Sequence, residues 1–341
     1  MPDVKANAST PPGGAVPRTG RNHSMDVVKG LACIAIVFMH CEFPGRFGTL
    51  IQCLVRFGVP FFFMVSGFFC FRPQGTVNYG KKIRHIAVIT FWTVLFYALL
   101  GLLSGRPFSS KATGKAILDW VVFNEPFYIA GPMWFLFALL YDYALFALVD
   151  RKGTRWIPVL AVPVGIVLYI AMAQGAHCWE IHIPNRWYRN FLVEGFSLFS
   201  LGWLLASRRG RLRIPNGVLW GVLLVSTALC PVERFLLGRD FGVNIVTFPQ
   251  VTALFLLCVN NPEMGKGSVL ETIGLKYSMF VYILHPAVWH LLDRVYAVAG
   301  IAGNPVVGYL RPLLCVSVAI LASMAFVGVK TVCLNRMKGT P

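Results

Sequence analysis

Apolar residues come in blocks of about twenty, parted by short polar runs, and about twenty is what a helix needs to cross a hydrocarbon layer. Ten blocks are predicted, at residues 25–42, 50–71, 84–103, 130–149, 156–173, 190–206, 217–235, 243–259, 269–292 and 306–329. The pattern predicts an all-α, polytopic membrane protein with about ten transmembrane helices. Pro231, Pro249 and Gln250 interrupt the seventh and eighth blocks, so a broken or kinked helix is expected there. The longest connections, 104–129 and 174–189, are candidates to cover a cavity mouth. Met25 to Cys41 reads MDVVKGLACIAIVFMHC, and Lys29 and His40 lie eleven residues apart. On a helix that is about 16 Å and almost whole turns, which puts both side chains on one face at opposite depths. Ionisable groups inside a span are costly and usually functional. The plainer reading makes Lys29 a snorkelling anchor and His40 an interfacial side chain.

Composition supports the membrane reading. The 341 residues are 56% hydrophobic and only 13% charged, against about 25% charged in soluble domains. Mean hydropathy is +0.65, and nine Trp suit anchoring at two interfaces. The net charge of +17 raises the question of nucleic acid, but the basic residues are spread over many short loops with no long basic arm. The nine Cys fall mostly inside apolar runs, without CxxC or His/Cys ligand spacing, so no metal site is expected. Cys41 and Cys53 flank one short loop; they pair if it faces an oxidising side, and are otherwise free thiols. A GxSxG turn, an HExxH helix and a phosphate-binding glycine loop are all missing, which removes most soluble-enzyme readings.

Charge bias gives the orientation. With the N-terminus inside, eighteen basic residues fall in inner segments and nine in outer loops. The loops at 72–84, 150–155 and 207–216 are consistently basic, which places both termini in the cytoplasm and makes the number of spans even. Residues 1–24 are polar and lack a signal-peptide pattern, so a disordered cytoplasmic tail is expected there. An integral-membrane domain over 25–334 and a short cytoplasmic tail over 335–341 complete the division. On this topology Lys29 lies near the cytoplasmic face and His40 near the outer face.

Other chemistry-bearing residues sort by depth. Arg56, near the outer end of the second block, either reaches a cavity or anchors to headgroups. Lys81 and Arg84 stand in an inner loop where cations suit the phosphates of a nucleotide-like donor. Glu194 lies about one turn into a span on the outer side, where an unpaired carboxylate is disfavoured. Asn190, four residues earlier, shares its face. Glu194 can orient and charge-stabilise His40, or it forms a structural ion pair with Arg189 or Arg56. His285, before Pro286, brings a second imidazole to the outer half, either to touch substrate or to pack against a freed carbonyl.

Several of these segments resemble the membrane acyltransferase-3 family. Its first span is marked by Arg, ten residues, His, and here Lys29 stands where most members have Arg, which keeps the charge and loses the bidentate fork. Val59 to Phe68, reading VPFFFMVSGF, resembles the second span. Lys81 with Arg84, the Trp134-Phe135-Leu136 entry to the fourth span, Arg189-Asn190 followed by Glu194-Gly195, and Leu284-His285-Pro286 resemble further family segments. The match looks closest to the surface-polysaccharide O-acyltransferase branch and covers about residues 24 to 330. It implies an acyl-CoA donor, usually acetyl-CoA, and an acceptor hydroxyl on a cell-surface glycan or lipid-linked saccharide. The expected enzyme is a multi-pass O-acyltransferase of a bacterial inner or plasma membrane. His40 is the expected general base and Glu194 its support; Lys29, Lys81 and Arg84 are the donor-binding residues; Arg56, Asn190, His285 and Trp134 line the substrate site. The alternative expectation is a secondary transporter or permease for a small polar metabolite such as an amino acid.

Overall fold

Asn22 begins the first helix: its Oδ1 accepts from the backbone N–H of Met25 at 2.9 Å, while its Nδ2 donates to the Cys258 carbonyl at 2.8 Å. One side chain thus satisfies a free helix-start N–H and ties that start to a distant helix end. The computed structural model describes residues 21–72, 77–105, 112–126 and 131–337, with side chains as far as 333. The 1–20 part of the expected tail lies outside the described residues, as do Arg106, Lys111 and positions 338–341.

Among the described residues the fold is all helical, with no strand. The helices are α1 His23–His40, α2 Gly45–Phe68, α3 Tyr79–Leu103, α4 Gly114–Phe123, α5 Gly131–Lys152, α6 Trp156–Cys178, α7 Phe191–Ser207, α8 Asn216–Leu237, α9 Thr247–Asn260, α10 over 269–298 and α11 Pro305–Met337. Each apolar block falls wholly or mostly on one of them. Seven helices (α1, α2, α3, α5, α6, α8 and α11) are long and apolar enough to cross a membrane, and α7 and α9 are apolar but shorter. The break expected at Pro231 is not there: α8 runs through it. Pro249 is the third residue of α9, where a backbone N–H has no helical partner to lose. The irregular stretch lies between them, at 238–246, and turns on the left-handed residues Gly238 and Gly242.

Burial separates two rings of helices. More than half of α1, α2 and α5 is buried within the protein, whereas α3, α6, α8 and α11 bury about a fifth. These peripheral helices present Phe91, Trp92 and Leu99, or Val225, Leu236 and Phe326, outward, as lipid-facing surfaces do.

The inner helices meet backbone to backbone. α2 runs antiparallel to α1, with Gln52 against Phe38 and Met39 and Gly58 against Ala32 and Ile36. α10 runs parallel to α1, with Arg21 and His23 on Glu271 near both starts and His40 beside His285 further along, and the two cross closely at Gly30 and Gly274, where an added Cβ would collide with the carbonyls of Leu270 and Asp26. Small residues permit this approach, which helix packing in lipid favours. Gly67 and Gly202 play the same part where α2 crosses α7. The bundle therefore has two distinct ends, one carrying Lys29 and one carrying His40.

Candidate functional site

The crossing of α1 and α10 fixes what stands at the His40 end. Gly274 precedes His285 by eleven residues, as Lys29 precedes His40. Parallel helices locked at Gly30 and Gly274 therefore bring the two histidines to one depth. Their rings stack, with centroids 5.6 Å apart and planes at 26°. His40 is half-buried and His285 fully buried. The Nδ1 of His285 lies 2.7 Å from the Tyr282 carbonyl, and a carbonyl only accepts, so Nδ1 carries the proton. Its Nε2 is then a bare lone pair, buried without a hydrogen-bond partner.

Around this pair the outcomes differ from the sequence expectations. His285 is fully buried beside His40, with its Nδ1 on the Tyr282 carbonyl. Glu194 shares no hydrogen bond with His40; it sits in a π-helical turn, Phe191–Gly195, with Oε2 buried and unpartnered. Asn190 is a helix cap, not a substrate ligand. Its Oδ1 accepts from Leu192 and Val193, and its Nδ2 donates to the carbonyls of Arg186 and Trp187, which uses up the amide. Arg56 donates to Gln52 Oε1 at 3.1 Å and lies 3.5 Å from Asp240. Trp134 is buried and forms a wall, its face 5.6 Å from the Arg189 guanidinium. The thiols of Cys41 and Cys53 are free and buried, and that of Cys53 donates to the Thr49 carbonyl on its own helix.

Arg189 was not selected from the sequence, yet it is the charge this end is built around. It feels Glu194, Tyr282 and His40, and with Arg56 it is one of the two cations facing His40. Asp142 is a second omission: fully buried, both oxygens unpartnered, it faces Gly195. Gln52 is a third. Its Nε2 donates to the carbonyls of both Phe38 and Met39, the turn that carries His40. For Asp142 and Gln52 the sequence signal was polarity within an apolar block, and for Arg189 it was the Arg189-Asn190 segment before Glu194.

The Lys29 end is arranged otherwise. Lys29 Nζ lies 2.6 Å from Asp26 Oδ1, and Arg21 Nε donates to Asp26 Oδ2 at 2.7 Å. Arg21 also reaches Glu271, which binds His23 and accepts from the N–H of Gly267. The Lys266 ammonium, 2.8 Å from Glu263, holds that carboxyl below its ordinary value. The charge of Lys29 is thus already answered by its own helix. Lys81 and Arg84 are exposed, whereas Lys82 between them is half-buried and turns inward, 5.4 Å from the Tyr143 ring. The inward stripe of α3, Tyr79, Ile86, Thr90, Thr93 and Tyr97, passes through position 82 at helical spacing, and that was readable. Among the described residues no group of three or more His, Cys, Asp or Glu forms a metal cluster.

With the geometry in place, comparison with known proteins gives one strong match. The sequence profile of the acyltransferase-3 family, described as an acyltransferase domain, matches residues 22–328. An amino-acid racemase from Enterococcus faecalis is 23% identical over 338 residues, covering 86% of this chain and 45% of the racemase. The chain therefore spans less than half the length of that relative. No solved structure matches. The profile covers both histidines, Arg189 and the whole inner bundle, so this chain belongs to the acyltransferase-3 family, and its long apolar helices fit a multi-pass membrane protein.

Proposed function

We propose that this protein transfers an acyl group, acetyl first among them, from cytoplasmic acyl-CoA to a hydroxyl of a cell-surface glycan or lipid-linked saccharide. The observation that carries the reading is the stacked pair of His40 and His285, half open at one end of a bundle whose other end is basic. Charge bias favours the His40 end as the outer one.

His40 takes the proton from the acceptor hydroxyl as its oxygen attacks the thioester carbonyl. The C–S bond breaks, and the proton on His40 passes to the departing thiolate. Arg189, with Arg56 beside it, meets the negative charge that develops on the carbonyl oxygen. His285 is a positioning residue: its ring backs that of His40, and its bare Nε2 offers the nearest proton acceptor. Glu194 supports Arg189 rather than His40. A covalent acyl-histidine step is compatible with the same geometry.

At the opposite end the residues fit an anionic donor. Among the described residues, no carboxylate pairs with Lys81, Lys82 or Arg84. Lys82 is the inward cation, with Lys81 and Arg84 at the surface beside it, while Lys29 is already paired with Asp26. The transporter alternative gains nothing from the relative's name, which speaks of racemisation alone.

The test is acetyl-CoA consumption by the purified protein in nanodiscs, with thermal stabilisation by CoA as a second readout. Thioester loss and stabilisation together are expected. Neither occurring would contradict the reading.

A further inference from the structure

A cavity of about 500 Å³ opens at the His40 end, within the usual range of small-molecule sites. Its lining begins at Glu42, two residues after His40, and includes Phe43, Gln52, Arg234, Asp240 and Arg311. Gln52 ties it to the chemistry, because the same amide that faces the cavity holds the carbonyls of Phe38 and Met39.

The charges of this lining are balanced. Asp240 Oδ2 lies 3.3 Å from Arg234 Nε and 3.5 Å from Arg56 Nη2. Arg311 pairs with Asp293 at 2.9 Å. Two cations around one carboxylate leave one positive charge, and the exposed Glu42 offsets it. An anionic ligand would meet Asp240 and Glu42; a cationic one would meet Arg56 and Arg234. Asp240 and Arg234 both line the cavity, and each side chain is 23% exposed. A carboxylate only accepts and a guanidinium only donates. Hydroxyl groups do both, so neighbouring hydroxyls satisfy this pair without bringing charge. Phe43, packed between Phe38 and Phe47 at 5.1 and 5.3 Å, adds an aromatic wall for the C–H face of a ring.

We propose that this cavity is the acceptor site and selects an uncharged, polyhydroxylated unit such as a neutral hexose, with Asp240 and Arg234 holding adjacent hydroxyls. The proposal rests on the acyl-transfer reading above and adds to it the charge class of the acceptor and the residues that choose it.

The experiment uses the full chain in nanodiscs free of sugar-headed detergent. Maltose, cellobiose and lactose are titrated by calorimetry without any acyl donor, beside galacturonate and glucosamine as charged probes. Saturable binding of at least one neutral disaccharide is expected, stronger than either charged probe. Asp240→Asn weakens it by about tenfold or more, the loss of one charged hydrogen-bonding partner. Arg234→Lys keeps the ion pair and the fold, and still weakens binding because the fork is gone. No binding of any neutral disaccharide, preference for a charged probe, or full affinity in both variants overturns the proposal. Thermal stabilisation by CoA, which needs no acceptor, is read separately without saccharide. Its presence without saccharide binding overturns this proposal alone, and saccharide binding without it overturns the acyl-transfer reading instead.

Discussion

The Lys29 end and the His40 end of α1 are built from similar residues and used in opposite ways. At the Lys29 end, Asp26, Glu271 and Glu263 each meet a cation within 2.8 Å. At the His40 end, Glu194, Asp142, His285 and Asp240 keep buried atoms without partners. A buried polar atom left unpaired costs about 1–3 kcal/mol. The Lys29 end answers Asp26, Glu271 and Glu263 with cations, whereas the His40 end pairs Asp240 with Arg56 and Arg234 but shows no ion pair for Glu194 or Asp142 among the described residues. The pairing at the Lys29 end reads as architecture, and the openness at the His40 end reads as chemistry.

The comparison can be broken by substitution at either end. The largest effect is expected from His40→Ala, which should lower acyl transfer by about 10²–10⁴-fold, the range of general-base catalysis, with the thermal transition little changed. Arg189→Gln comes next. It should cost about 10²–10³-fold in kcat, as loss of an oxyanion donor does, with little change in donor KM. At the opposite end, Lys82→Gln should raise donor KM by more than Lys29→Met does, because Lys29 is already neutralised by Asp26. The reverse order, read from initial rates against acetyl-CoA concentration, would show that the ion pair opens for the donor.

The smallest effect concerns acid. The Glu263 carboxyl is held low by Lys266, so its folded-state value lies below its unfolded one. Its contribution to stability is then full above about pH 4.5 and lost as the pH falls through the depressed value. Both side chains are exposed, so Glu263→Gln should shift the thermal transition only slightly at pH 7 and by less as the pH falls below about 4.5.

What was legible in the sequence was whatever depends on one helix at a time. The apolar blocks located the helices, and the eleven-residue spacing set Lys29 and His40 at opposite ends of α1. The Asp26–Lys29 pair, three residues apart, and the cap at Asn190 obey equally local rules and were open to the same reading. What was not legible depends on how helices cross. The stacking of His40 on His285 spans 245 positions and is set by two glycines at the far end of the crossing. The choice of Lys82 over Lys81 and Arg84 follows from the rotation of α3 against α5, which its inward stripe records but charge spacing does not. Arg189 was readable as a partner of Glu194, but its place on the face of Trp134 depends on how α5 meets the chain before α7.

The most direct test of the central claim is the fate of acetyl-CoA when a neutral disaccharide acceptor is supplied to the purified protein in nanodiscs, wild type beside His40→Ala, with free CoA read by mass spectrometry. The account predicts steady CoA release by wild type and release near background for a variant that melts at the same temperature. Equal release by the two proteins would contradict it.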